Sequence, residues 1–309
     1  MTQQRIVSLL ASGTEMVCGL GLADRLVAIS HECDYPEPIL HLPRVTGTQI
    51  DVNSSSRAID DIVREMSINQ SALYEIDERQ LAELSPDLII TQAQCDVCAV
   101  RYEDVVSAVE RFPSLSHTKI VALNPLTFAD IFRDIGVVAE ACGATTAGER
   151  YLNDLQRRVK QVCQLGEKLG SLRPRVVGIE WLDPIMVSGN WIPEMIELCG
   201  GEVVLAKAGE HSPYTSWEQV RAVQPDVVLI MPCGFDLTRT MSELDVLTSL
   251  PGWNETPAAK ANRIFAVDGN AYFNRSGPRM VDSLEVLAAF VQDRPMDVHI
   301  PADVWRRLN

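Results

Sequence analysis

The chain has 309 residues, enough for two domains of ordinary size that each bury a core. Its 27 basic residues are outweighed by 42 acidic ones for a net charge of −15, with no Lys/Arg cluster, which excludes a nucleic-acid partner. No apolar run approaches the roughly 20 residues needed to span a bilayer.

The opening MTQQ leads directly into RIVSLL and leaves no room for a basic stretch, an apolar stretch and a cleavage site. That predicts a cytoplasmic protein, or a periplasmic one if a leader preceding Met1 was removed. Strand signals follow at 5–9, 26–30, 87–92 and 119–123, with helices near 13–20, 102–112 and 127–142. The stretch GERYLNDLQRRVKQVCQLGEKLG (148–170) is charged and helix-prone, with Leu152, Leu155, Val159 and Val162 recurring at three- and four-residue steps. Strands are expected again at 175–181, 203–205, 226–232 and 263–267, and helices near 192–199, 216–223, 239–249 and 277–292. This alternation predicts an α/β fold of two similar lobes with mainly parallel sheets. The boundaries read as an N-terminal lobe over 1–146, a linker helix over 147–171 and a C-terminal lobe over 172–309, with a ligand cleft between the lobes. One long helix is stiffer than paired strands, so only modest opening and closing is expected.

The halves also repeat each other. ERQLAELSPDLIITQ (78–92) returns as WEQVRAVQPDVVLIM (217–231), RIVSL (5–9) as RVVGI (175–179), EMVCGLG (15–21) as IELCGG (196–201), and KIVAL (119–123) as RIFAV (263–267). Four matches in the same order argue for duplication, although any two βα units share Val/Ile-rich strands and Pro-Asp turns. Residues 51–76, DVNSSSRAIDDIVREMSINQSALYEI, have no counterpart in the second half. There Ser54, Ser55 and Ser56 can start a helix with Ile59, Ile62, Val63 and Met66 on one face. The segment is expected to pack on the first lobe, with a lid or partner surface as the alternative. The eight cysteines, at 18, 33, 95, 98, 142, 163, 199 and 233, fit buried helix and strand positions in a reducing compartment rather than a disulfide framework.

RIVSLLASGTEMVCGLGLADRLVAISHECDYP, MVSGNWIPEMIELCGGEVV and AYFNRSGPR (271–279) together resemble a known family, the substrate-binding proteins of ABC transporters that have a helical backbone between lobes and serve cobalamin, haem and iron-siderophore uptake. Asp34-Tyr35-Pro36 and Cys199-Gly200-Gly201-Glu202 are most similar to the cobalamin-binding branch. The resemblance implies a small-molecule ligand, an ABC permease partner if the protein is exported, and no catalysis. It also places Tyr35 and Tyr272 as aromatic contacts to a corrin, with Trp181 or Glu180 at another contact position. Two departures stand out: Thr46-Gly47-Thr48-Gln49 replaces a turn that can carry Trp, and the strand 87–92 ends in Gln92 instead of an aromatic residue. In related proteins acidic residues high on both lobes dock onto basic permease loops. Glu78 and Glu218 open the equivalent helices here, with plain surface solvation as the competing reading.

Ligands of open parallel sheets bind beyond the carboxyl ends of the strands. The candidates there are Tyr35, Gln92, Gln94, Trp181, Trp191, Tyr272, Phe273 and Arg275. Tryptophans at helix starts, such as Trp191 and Trp217, more often pack than bind, and Arg275 could pair with an acidic ligand group or with a protein carboxylate. Cys95-Asp96-Val97-Cys98 puts two sulfurs on one side of a turn, and His31 and Cys33 could complete four metal ligands. Two buried structural thiols explain the same motif. The bound group is therefore read as a corrinoid or other metal chelate, or as zinc or iron at the Cys/His set in a metal-handling protein or enzyme that reuses the fold. No nucleophile elbow, zincin motif, P-loop or dinucleotide fingerprint supports an enzyme.

Overall fold

A computed structural model describes residues 3–69, 71–93, 99–295, 300–301 and 303–308. In chain order the elements are β1 (Ile6–Ser8), α1 (Ala11–Gly19), β2 (Leu26–Ile29), β3 (Thr46–Thr48), α2 (Ser56–Ile68), β4 (Tyr74–Ile76), α3 (Glu78–Leu84), β5 (Leu88–Gln92), α4 (Tyr102–Arg111), β6 (Lys119–Leu123) and α5 (Phe128–Ala141). The long α6 (Thr145–Gly166) follows. Then come β7 (Arg175–Trp181), β8 (Met186–Val187), α7 (Ile192–Leu198), β9 (Glu202–Val203), α8 (Trp217–Ala222), β10 (Val227–Ile230), α9 (Leu237–Ser242) and α10 (Asp245–Thr248). The chain ends with α11 (Pro257–Lys260), β11 (Ile264–Val267), a π-helical turn at Gly269–Phe273, α12 (Met280–Val291) and β12 (Trp305–Leu308).

These elements form two compact units. One holds 1–54, 61–125 and 129–154, and the other 55–60, 126–128 and 155–309. Residues 55–60, with the first turn of α2, thus group with the second unit, whereas the rest of the segment expected to pack on the first lobe groups with the first.

The first unit is built on a parallel sheet in the order β2-β1-β5-β6, with β3 and β4 forming a separate antiparallel pair. The second has the order β12-β11-β10-β7-β8, with β9 also joined to β7. Its β9, β7, β10 and β11 are parallel, repeating the first unit's order strand for strand. Every residue of β5 and of β10 is buried, as expected of parallel strands covered on both faces. Val7, Leu9, Ala28, Leu81, Ile89, Val105 and Leu115 form one core cluster of the first unit.

The duplication extends to individual hydrogen bonds. Asp77 caps α3 by accepting from the Gln80 amide, and Ser216 caps α8 through a reciprocal box with Gln219. Beyond these helices Ser85 and Gln224 adopt left-handed backbones, φ 43° and 46°. Asp87 then accepts from the Arg5 amide at 2.7 Å while Arg5 reaches the Leu84 carbonyl at 2.8 Å; Asp226 accepts from the Arg175 amide at 2.8 Å while Arg175 reaches the Val223 carbonyl at 2.9 Å. Each aspartate ties the turn before a central strand to the start of its neighbour. Asp87→Ala and Asp226→Ala should therefore cost similar amounts of stability, about 0.5–1.5 kcal/mol each given their partial exposure, measurable by urea denaturation.

The linker helix expected at 148–170 is α6, with Leu155 and Val162 buried. Other expectations need amendment. The helix expected at 239–249 is two, α9 and α10, and β12 was not anticipated. Its Val267↔Trp305 and Phe265↔Arg307 pairs add an antiparallel edge to β11.

Candidate functional site

The carboxyl ends of the first unit's strands present unequal groups. After β1 the chain turns straight into α1, and a Cβ on Gly13 would lie 2.8 Å from Ile90 Cγ2 and 3.0 Å from Ser8 Oγ, so only glycine lets the helix start close on the sheet. Ser12 and Thr14 are buried there. Thr14 Oγ1 lies 3.2 Å from Cys33 Sγ, and Cys33 is a core residue, 2 % exposed.

His31, after β2, is organised by Thr46. The Thr46 hydroxyl donates to Ser30 Oγ at 3.1 Å and accepts from the His31 amide at 3.0 Å; His31 Nδ1 lies 2.7 Å from the same oxygen. If the threonine proton is directed at Ser30, Nδ1 is the donor of this pair. The other nitrogen, Nε2, lies 3.1 Å from a Glu32 carboxylate oxygen. A histidine held by an Nδ1–H hydrogen bond has the orientation of a metal ligand with an outer-shell partner. Even so, among the described residues no group of three or more His, Cys, Asp or Glu side chains is placed to hold a metal. Gln94, Cys95 and Cys98 lie outside the described residues.

Tyr35 is 48 % exposed and Gln92, the last residue of β5, is buried. At the exit of β6 the Asn124 amide hydrogen-bonds to Asp134, a carboxyl on α5 whose pKa burial pushes up, partly offset by Arg133.

In the second unit β7 delivers Glu180 and Trp181. Burial pushes the Glu180 carboxyl up to about 7, partly offset by a hydrogen bond with Ser212. A carboxyl raised on folding favours the native state most below its unfolded pKa of about 4.5, and that contribution is lost as pH rises through 7. Wild type should therefore lose on the order of 1–3 kcal/mol of stability relative to Glu180→Gln between pH 4.5 and 7.5, read as the difference between two denaturation series.

Trp181 donates its indole N–H to the Ser56 carbonyl at 3.2 Å, and its ring lies 5.2 Å from that of Phe235, tilted 53°. Phe235, in the loop after β10, carries the Arg239 guanidinium 4.3 Å above its ring. Arg239 pairs with Glu243 at 2.6 Å, and Glu243 accepts from the Ser56 amide at 2.8 Å and hydroxyl at 2.6 Å. Phe235 was expected at this strand exit, but Arg239 and Glu243 were not among the sequence candidates for the site, because no local pattern links a loop to a helix and its end.

The last strand's exit is framed tightly. Asp268 accepts from the Ala271 amide at 2.7 Å, and Asn274 Nδ2 donates to the Met231 carbonyl at 2.9 Å, fixing the π-helical turn against the end of β10. Tyr272 is half-buried in this turn, with the Arg279 guanidinium 5.3 Å over its ring. Burial pushes its phenol pKa up, opposed in part by Arg279. Phe273 is a core residue, and buried Arg275 donates to Asn270 Oδ1 at 3.1 Å. Trp191 is buried and donates to the Phe273 carbonyl at 3.0 Å, the packing role expected of a tryptophan at a helix start. Trp217 likewise donates to the Pro251 carbonyl at 2.9 Å and stacks on Trp253.

Of the two acids that open the equivalent helices, Glu78 is paired with Arg111 at 2.5 Å, whereas Glu218 is an exposed first-turn residue of α8. The six described cysteines are all free thiols, with Cys33, Cys142 and Cys199 buried and Cys233 exposed. Among the described residues no helix is long and apolar enough to cross a membrane.

The chain is similar to an uncharacterized ABC transporter substrate-binding lipoprotein of Bacillus subtilis, at 21 % identity over 92 % of this chain and 79 % of that protein. It is also similar to the vitamin B12-binding protein of Vibrio cholerae, at 24 % identity over 94 % of this chain and 89 % of the relative. Its fold matches the periplasmic haem-binding protein RhuT of Roseiflexus with a TM-score of 0.68 and 23 % identity, covering 94 % of this chain and 99 % of the other. The cytoplasmic location expected from the opening residues finds no support in these relatives, which bear periplasmic and lipoprotein descriptions. The chain is a binding protein rather than an enzyme, and residues 6–271 match the periplasmic binding protein family, to which it belongs.

Proposed function

We propose that this protein binds a metal-chelate small molecule, a corrinoid or a related tetrapyrrole or siderophore, and delivers it unchanged to an ABC permease. The observation that carries the reading is that Trp181 ends β7 while Tyr35 and Tyr272 lie in the segments that follow β2 and β11, each at least partly exposed. Flat aromatic rings suit the apolar faces of a macrocycle. Arg279 lies over the Tyr272 ring and would supply charge for the acidic groups such ligands carry. The Vibrio relative is a vitamin B12-binding protein and the Roseiflexus one a haem-binding protein, and both ligand classes are consistent with this arrangement.

The test is a titration of ligand-free protein with cyanocobalamin, haemin and a ferric siderophore, followed by absorbance and tryptophan quenching. Saturable binding of one of them is expected, weakened at least ten-fold in Tyr272→Ala. Failure of all three to bind would overturn the reading. Fractionation of cells producing the protein from its own gene distinguishes the periplasmic setting of the relatives from a cytoplasmic one.

A second reading, zinc or iron at His31, Cys33, Cys95 and Cys98, draws support from the hydrogen bond that orients His31. Metal analysis of protein purified without chelators, repeated on Cys95→Ser and Cys98→Ser, tests it. Metal content near zero in the unaltered protein would end it.

A further inference from the structure

The first turn of α2 is tied to the exit of β7 by a closed circuit. Trp181 donates to the Ser56 carbonyl, Ser56 donates twice to Glu243, Glu243 holds Arg239, Arg239 covers Phe235, and Phe235 packs on Trp181. Two further links stand outside it. Arg57 forms a bidentate pair with Asp183, two residues past Trp181, and Tyr214 donates to Asp60 at 2.7 Å. The start of this helix carries partial positive charge, and Glu243 supplies the complementary carboxylate. Burial acts to raise the Glu243 pKa, but the Ser56 hydroxyl and amide together with Arg239 hold it below the usual carboxylate range, so it is an anion at neutral pH.

The composition of this contact matters. Most of its links are hydrogen bonds and ion pairs, which water can replace at modest net cost, and among residues 55–60 the buried apolar side chain is Ile59. The preceding residues form a self-contained turn: Asn53 and Ser54 amides donate to Asp51 at 3.0 Å, and Val52 is 56 % exposed. Ser56 and Asp60 are buried beside Ile59 but are polar and hydrogen-bonded, so lifting the segment exposes little apolar surface. Trp181 also differs from Trp191 and Trp217, whose N–H groups satisfy carbonyls of loops in the second half of the chain.

We propose that the first turn of α2 is a latch over Trp181, fastened by Glu243 and Asp183, and that a ligand stacks on this indole only when Ser55–Asp60 has lifted. The inference rests on the reading of Trp181 as a ligand contact, but the movement of the latch can be tested without any ligand.

Hydrogen exchange is measured on the full-length protein and on Glu243→Gln and Arg57→Ala. Both variants should exchange the 55–60 amides at least ten-fold faster, with β7 and β10 unchanged. Acrylamide quenching of Trp181, isolated by difference from Trp181→Phe, should rise about two-fold in the same variants. With cyanocobalamin and haemin as probes, whichever binds should associate several-fold faster with the variants. Unchanged 55–60 exchange in both variants overturns the latch, as does faster exchange that leaves Trp181 no more quenchable or association no faster. If neither probe nor the ferric siderophore binds any form, the ligand reading fails, while exchange and quenching still decide whether the turn covers the indole.

Discussion

Phe265→Ala should lower the unfolding free energy by about 3–5 kcal/mol, the upper range for truncating a buried aromatic side chain. Phe265 is fully buried in β11 and stacks on Phe290 with ring centroids 3.9 Å apart and planes 11° apart. Trp305 lies 6.2 Å away on the strand that pairs with β11, and the Arg307 guanidinium sits 5.1 Å over the Phe265 ring. Truncation leaves a cavity bounded by α12 on one side and β12 on another, and two separate elements cannot both collapse into it. Since β12 joins the sheet through β11, its amides should lose exchange protection in the variant before those of β10 do. Denaturant titration with hydrogen exchange checks both points. A loss under 1 kcal/mol would mean that this cluster does not hold the C-terminal strand.

Gly269→Ala should lower stability by about 1–3 kcal/mol and abolish or strongly weaken ligand binding. An added Cβ would lie 2.3 Å from the Pro232 carbonyl oxygen and 2.7 Å from the Met231 carbonyl, both backbone atoms at the end of β10 that no side-chain rotation can move aside. The π-helical turn must shift, and it carries Tyr272 while Asn274 anchors it to Met231. Single π-turns inside or beside helices are frequent at functional sites, where they aim a side chain that a regular turn would not. Equilibrium titration with cyanocobalamin and haemin beside a denaturation curve separates the two effects. Wild-type affinity in a destabilised variant would show that Tyr272 does not need its present placement.

Much of the fold was legible because it depends on local pattern. The buried runs of β5 and β10 are continuous apolar sequence, the Pro-Asp turns before them recur with their caps, and α6 announces itself through Leu152, Leu155, Val159 and Val162. What was missed depends on contacts distant in sequence. Strand β12 is WRRL, with two arginines in four residues; it becomes a strand by pairing with the edge of β11 and packing a partly buried Trp305 against Phe265 and Phe290. The helix expected over 239–249 breaks at Glu243, the residue that binds the start of α2.

The candidate site divides in the same way. Tyr35, Trp181 and Tyr272 could be placed after strands because strand exits can be counted from the chain, while Trp191, kept as a candidate beside the commoner packing role, is buried and bonded to the Phe273 carbonyl. The reach of Glu243 to Ser56 could not be read, because the two are far apart in sequence and neither belongs to a motif. By itself the sequence determined the alternation of strands and helices, the repeat and the family likeness, since hydrophobic periodicity and turn chemistry act over a few residues. Only the tertiary structure decided which unit takes the first turn of α2, what satisfies the indole of Trp181 and how Gly269 aims Tyr272, because these follow from distances between segments that the chain order does not encode.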